Sequence, residues 1–177
     1  MLGQTAERTV AGIDNIAPAE SLLLSNSYDL AALIPDGVKQ AMRAAESYKL
    51  FFVFEGYLRD FVVEVLSADP AVSWWDRIPK DVQEEVTKLE ETEDAKSWMA
   101  LGSRDKSALM TYPQLLKVID HAWKDGFSDL VRDKALVQEA RLIAHLRNTI
   151  CHMTPISNEE MDRVKQTMRD WFRVVAP

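Results

Sequence analysis

The chain has 177 residues, 47% of them hydrophobic and 28% charged, with only six glycines and seven prolines. That is enough for one domain with a sizeable core, and it excludes a disordered chain. A net charge of −7 speaks against binding nucleic acid through overall charge, and no apolar run is long enough to span a bilayer. The charge is uneven, however: net −5 over residues 1–75, −5 over 76–94 and +3 over 95–177. With no true basic block, a solvated mixed-charge surface accounts for this equally well. The start carries Glu7 and Arg8 and lacks the basic-then-apolar pattern of a secretory leader. Cys151 is the only cysteine, which rules out an internal disulfide and fits a reducing cytosol. A cytoplasmic location and no membrane partner are therefore expected.

Residues 1–36 are expected to form an N-terminal extension, either a short helix or a loosely packed segment. Pro18, Pro35 and the run Ser25-Asn26-Ser27 break any long pattern there. Residues 37–177 are expected to form the main domain without a further boundary. From about Gly37 to Leu66, Met42, Ala45, Tyr48, Phe52, Leu58, Phe61 and Val65 recur at helical spacing and predict a long core helix. Phe51-Phe52-Val53-Phe54 has local strand character that the helical flanks override. Asp69-Pro70 ends this helix. Trp74-Trp75 follows, then an acidic helix near 79–94 with Pro79 in its first turn.

Residues 101–111 read as a loop. Thr111 caps a helix with Pro113 in its early turn, running to about Lys124 and stopping near Gly126. The next helix spans roughly Asp133 to His152, and Pro155 prevents its continuation. Ser157-Asn158-Glu159-Glu160 is a capping box that opens a last helix towards Val175. No convincing strand or repeat is found. These elements predict an all-α, up-and-down helical bundle with a long N-terminal core helix and additional short helices.

The helix over 133–152 has two faces. Leu136, Ala140, Ile143, Leu146 and Ile150 form a buried stripe, while Arg141, His145, Asn148 and His152 form a polar one. Near its end Arg147, Asn148 and His152 bring together a permanent cation, an amide and an imidazole. Arg grips a phosphate with a planar fork of donors, and His moves protons near neutral pH. These are the groups needed to cut RNA without a metal. The spacing alone is a weak signal, and a His at a helix C-terminus also simply complements the dipole. At about 100° per residue, Arg147 lies about 40° from Ile143 and His152 about 180°. One ideal helix does not aim both at one small target. Either the last turn unwinds before Pro155 or a second copy completes the site. The second is favoured, because a two-fold dimer sets each motif opposite its twin.

At these residues the chain resembles the HEPN superfamily of helical ribonucleases, whose motif is Arg, a polar residue that is often Asn, a short spacer and His near a helix end. It is similar in particular to the branch found in RNA quality-control endonucleases and bacterial defence or toxin proteins. That similarity rests on Glu55, Leu58 and Arg59 in an aromatic long helix, Trp74-Trp75 before a Pro-initiated acidic helix, and Tyr112 followed by Trp123 and Phe127. The cover is roughly residues 37–175.

The resemblance implies a metal-independent endoribonuclease, active as a homodimer and needing no cofactor, of the kind found in toxin–antitoxin and antiviral systems. RNA would be its substrate and an antitoxin or other regulatory protein a partner. His152 would be general base or acid, Arg147 would hold the scissile phosphate, and Asn148 would orient the phosphate or the imidazole. Glu55 and Arg59 either line the cleft or form an intrahelical pair worth about 0.3–0.5 kcal/mol. Arg141 and His145 are candidate substrate contacts or plain solvated residues. In some HEPN toxins a Tyr two positions after the His is modified by a nucleotidyltransferase antitoxin. Thr154 stands there, a departure from that mode of control. A thiol nucleophile at Cys151 is disfavoured because Cys151 and His152 diverge by about 100°. A zinc site from Cys151, His145 and His152 fails on ligand number and spacing. The alternative to a nuclease is a non-catalytic helical dimerisation or RNA-sensing module.

Overall fold

The structure is a computed structural model and describes residues 21–96 and 105–175. The expectations that fall on residues 1–20 and 97–104 lie outside the described residues. The chain divides into two compact units, residues 1–43 and 44–177.

In the first unit, β1 (Leu23–Ser25) pairs antiparallel with β2 (Tyr28–Asp29). This small hairpin corrects the expectation of no strand, and Asn26-Ser27 of the polar run Ser25-Asn26-Ser27 is its turn. A carboxylate oxygen of Asp29 accepts from the backbone N–H groups of Leu22 and Ala31, both at 2.9 Å. One acidic side chain thereby closes the hairpin and caps the single-turn α1 (Leu30–Leu33). Pro35 opens α2 (Pro35–Leu66), where its missing N–H is harmless.

Within the second unit α2 is the central element. Its buried stripe is Phe51, Phe54, Leu58, Phe61, Val62, Val65 and Leu66. Each such side chain contributes on the order of 1.5–3 kcal/mol by leaving water. The expected stripe is corrected at its N-terminal part: Ala45 is exposed, and Tyr48 and Phe52 are 54% and 68% exposed. Adjacent helical positions diverge by about 100°, so Phe51 and Phe52 cannot both face inwards. Aromatic packing decides between them. The Phe51 ring meets Tyr112 edge-on at 5.9 Å, and Phe54 meets Trp171 at 5.8 Å.

The helices around α2 follow the expected order. Ser73 caps a 3-10 turn at Trp74–Arg77. Pro79 sits immediately before α3 (Lys80–Ala95), which buries Val82 and Val86. The expected loop before Tyr112 contains a second 3-10 turn at Lys106–Leu109. The backbone N–H of Thr111 donates to Gln114 Oε1 at 2.8 Å where α4 (Tyr112–His121) begins. An irregular turn with Gly126 at φ 121° leads to the short α5 (Ser128–Val131). Before α8 (Asn158–Val175), Ser157 N–H donates to Glu160 and Glu160 N–H donates back to Ser157 Oγ, at 2.9 and 3.2 Å. That is the expected capping box.

The single helix expected over 133–152 is instead two, α6 (Ala135–Leu142) and α7 (Ala144–Cys151), separated at Ile143 with φ −88° and ψ 0°. The break frees the Leu142 carbonyl, and His145 answers it with Nδ1 at 2.7 Å. A carbonyl only accepts, so Nδ1 carries the proton. Ala140, Ile143, Leu146 and Ile150 are all buried, so the apolar stripe survives the break. No helix among the described residues is long and apolar enough to cross a membrane.

Tyr112 ties α4 to α6. Its hydroxyl donates to the Ala140 carbonyl at 2.7 Å in a fully buried setting. Burial, reinforced by the Glu55 charge, pushes its pKa far up. Tyr112→Phe should leave that carbonyl unpaired and lower stability by about 1–2 kcal/mol in urea unfolding. Unchanged stability would mean that this link does not hold the two helices together.

Candidate active site

Arg147 projects from the middle of α7 towards α2. Its Nε donates to Glu55 Oε2 at 3.0 Å and its Nη2 to Glu55 Oε1 at 3.3 Å. The same Oε1 receives Arg59 Nη2 at 3.4 Å, and Arg59 Nε donates to the Ser107 carbonyl at 2.8 Å. One carboxylate thus serves two guanidinium groups, and the trio carries a net positive charge. Arg147 and Arg59 side chains are each 24% exposed and Glu55 13%. Burial alone pulls the Arg147 pKa down, but the Glu55 hydrogen bonds and charge outweigh it and leave the pKa raised. Arg147 is therefore a fixed cation, with further N–H donors beyond the two that Glu55 takes.

These three residues line a cavity of about 260 Å³ together with Tyr48, Phe51, Phe52, Gly56, Ile150 and Cys151. Glu55 and Arg59 are both cleft-lining and paired, so the two readings of them hold together. A methyl group built onto Gly56 would meet nothing within 4 Å, so the α2 backbone is bare here. The Tyr48 and Phe52 rings lie beside it, tilted to each other by 34° with centroids 6.0 Å apart.

His152 is the C-cap of α7. Met153 N–H donates to the Ile150 carbonyl at 3.0 Å and Thr154 N–H to the Thr149 carbonyl at 3.2 Å, with Met153 at φ 60°. This is a Schellman closure, so the helix stays intact to its cap and the unwinding alternative does not occur. Five helical steps turn His152 about 140° from Arg147. His152 and Asn148 are exposed, and neither lines the Arg147 cavity.

Arg141 lies on α6 and is engaged in an ion pair. It donates to Asp120 at 3.0 Å, with Lys134 at 2.6 Å on the other carboxylate oxygen. The Lys134 hydrogen bond, opposed by burial and joined by Arg141, holds the Asp120 pKa below its ordinary value. His145 is occupied by the Leu142 carbonyl. Tyr48, Phe52, Gly56 and Cys151 were missed as cavity residues. The adjacent pair Phe51-Phe52 was the available signal, since one of the two must face outwards. Among the described residues no group of three or more His, Cys, Asp or Glu side chains is placed to hold a metal.

A family model described as Swt1-like HEPN matches residues 49–176. No curated protein and no solved structure matches the chain.

The Glu55–Arg147 pair spans two helices with little exposure. A double-mutant cycle with Glu55→Ala and Arg147→Ala should therefore give a coupling of about 1 kcal/mol in chemical unfolding. Strict additivity would show that the two charges do not stabilise each other.

Proposed function

The chain belongs to the Swt1-like HEPN family, and on that footing we propose that it is a metal-independent endoribonuclease whose site is completed across a homodimer. The observation that carries this reading is the divergence of Arg147 and His152 on a helix that stays regular to its cap. A single chain presents the cation in a cavity and the imidazole on another face, whereas a two-fold partner can bring the imidazole of one copy to the arginine of the other. The surround of the cavity supports this. The exposed rings of Tyr48 and Phe52 and the bare backbone at Gly56 form an apolar border that a second copy would cover.

In this mechanism His152 takes the proton from a ribose 2′-hydroxyl, or gives one to the leaving 5′-oxygen. The 2′-oxygen attacks phosphorus, the bond to the 5′-oxygen breaks, and the products are a 2′,3′-cyclic phosphate and a 5′-hydroxyl. Arg147 balances the charge that builds on the phosphoryl oxygens. Glu55 and Arg59 fix its direction, and Asn148 orients the phosphate or the imidazole. Cellular roles as a toxin or antiviral effector, restrained by an antitoxin or regulatory protein, are the biological form of this reading. A non-catalytic dimerisation or RNA-sensing module is the second reading, favoured by the two Arg147 donors already engaged by Glu55.

With excess chelator present, purified protein should cut mixed RNA, and Arg147→Ala and His152→Ala should each reduce the rate roughly 100-fold or more. Equal cutting by all three proteins would point to a contaminant. RNA binding by a stable dimer without cutting would favour the module.

Phe52→Asp places a charge in the apolar border and should convert a dimer to a folded monomer in sedimentation, with loss of cutting. A Phe52→Asp dimer of undiminished stability would remove this face from the interface.

A further inference from the structure

The second unit carries a groove whose chemistry the Arg147 site does not use. Its volume is about 570 Å³, and it is lined by Leu50, Lys165, Met168, Arg169, Phe172 and Arg173. All but Leu50 belong to α8, and no carboxylate lines it. In a chain of net charge −7, three cations around one groove are a marked local reversal. We propose that this groove is a second contact track for single-stranded RNA, holding a stretch of substrate away from the cleaved bond. Its assignment to RNA rests on the nuclease reading.

The spacing suits a polyanionic strand. Lys165, Arg169 and Arg173 lie four residues apart, about 6 Å of axial rise per step with a drift of about 40°. That step is comparable to the distance between neighbouring phosphates of an extended strand, so successive phosphates can each meet one cation. The cations are available. Lys165 has no ion-pair partner among the described residues. Arg169 donates to the neutral Gln166 at 2.7 Å, and Arg173 has only an exposed pair with Asp170 at 3.5 Å, worth little in water.

The floor is apolar, formed by Leu50, Met168 and Phe172. The Phe172 ring is braced by Tyr57 at 4.8 Å and Phe54 at 5.8 Å. Cations along a strand with an apolar, partly aromatic floor for base faces are the two parts of sequence-tolerant single-strand binding. An acidic peptide would use the cations but leave the floor without partners. Another cavity among the described residues, about 650 Å³, is bordered by Asp60, Glu64, Asp125 and Asp129 against one Arg132 and repels phosphate.

The test uses full-length protein carrying His152→Ala to prevent cutting, a fluorescent oligouridylate, and anisotropy at several salt concentrations. Adding Lys165→Ala, Arg169→Ala and Arg173→Ala together should weaken binding roughly tenfold. It should also flatten the slope of log affinity against log salt by about 2, near 0.7 for each lost phosphate contact. Lys88→Ala, an exposed cation of α3, should change neither, and near-ultraviolet circular dichroism should show all variants folded. Phe172→Leu should weaken binding several-fold without moving the slope. An unaltered affinity and slope in the triple variant would overturn the proposal. So would displacement of the oligouridylate by polyglutamate as readily as by unlabelled oligouridylate, which would make the groove a site for an acidic protein. With His152 intact, the triple variant should raise KM for long RNA and leave kcat for a dinucleotide unchanged. If that protein never cuts, the nuclease reading fails by itself, while the binding comparison still decides the groove.

Discussion

The Glu55 carboxylate is the contact on which the site depends. A guanidinium that is three-quarters buried needs an anion nearby to remain tolerable as a charge, and Glu55 supplies it to Arg147 and Arg59 together. The pairing does more than neutralise. Nε and Nη2 of Arg147 engage both carboxylate oxygens, which fixes the plane of the fork. Arg59 is itself anchored on the Ser107 carbonyl, so the carboxylate is held from the far side. The result is a preorganised cation lining a cavity, its remaining donors set in direction.

The helix that carries this cation is shaped at both ends by local chemistry. At Ile143 the backbone leaves the helix, and His145 satisfies the carbonyl that is released. At the other end Met153 adopts the left-handed conformation and the Schellman hydrogen bonds close the helix over His152. The short, regular helix between them keeps Arg147 and His152 on divergent faces. That rigidity makes a lone chain a poor catalyst on this reading and makes association the step that assembles the reactive pair. It also gives a use to the exposed Tyr48 and Phe52, which contribute nothing to the core of their own chain.

Much of this was legible before any coordinates. Pro113, Pro155 and the Ser157–Glu160 box marked helix ends because each acts through its own backbone or a near neighbour. The stripe Ala140, Ile143, Leu146 and Ile150 was legible because burial repeats with the helical period. What escaped depended on contacts distant in sequence. Whether Phe51 or Phe52 faces inwards is settled by Tyr112, some sixty residues on. The ion pair of Arg141 was not legible because its partner Asp120 lies on another helix. Glu55 and Arg147 were both read as candidates, yet nothing local joined residues 92 positions apart.

The most direct test mixes Arg147→Ala and His152→Ala proteins, each inactive alone, after dissociation and reassociation. If the arginine of one copy works with the imidazole of the other, half of the dimers formed at equal mixing are hybrids. Each hybrid has one intact and one doubly defective site, so about a quarter of wild-type chelator-resistant RNA cutting should return. A mixture that forms hybrids yet stays inactive would contradict a shared site.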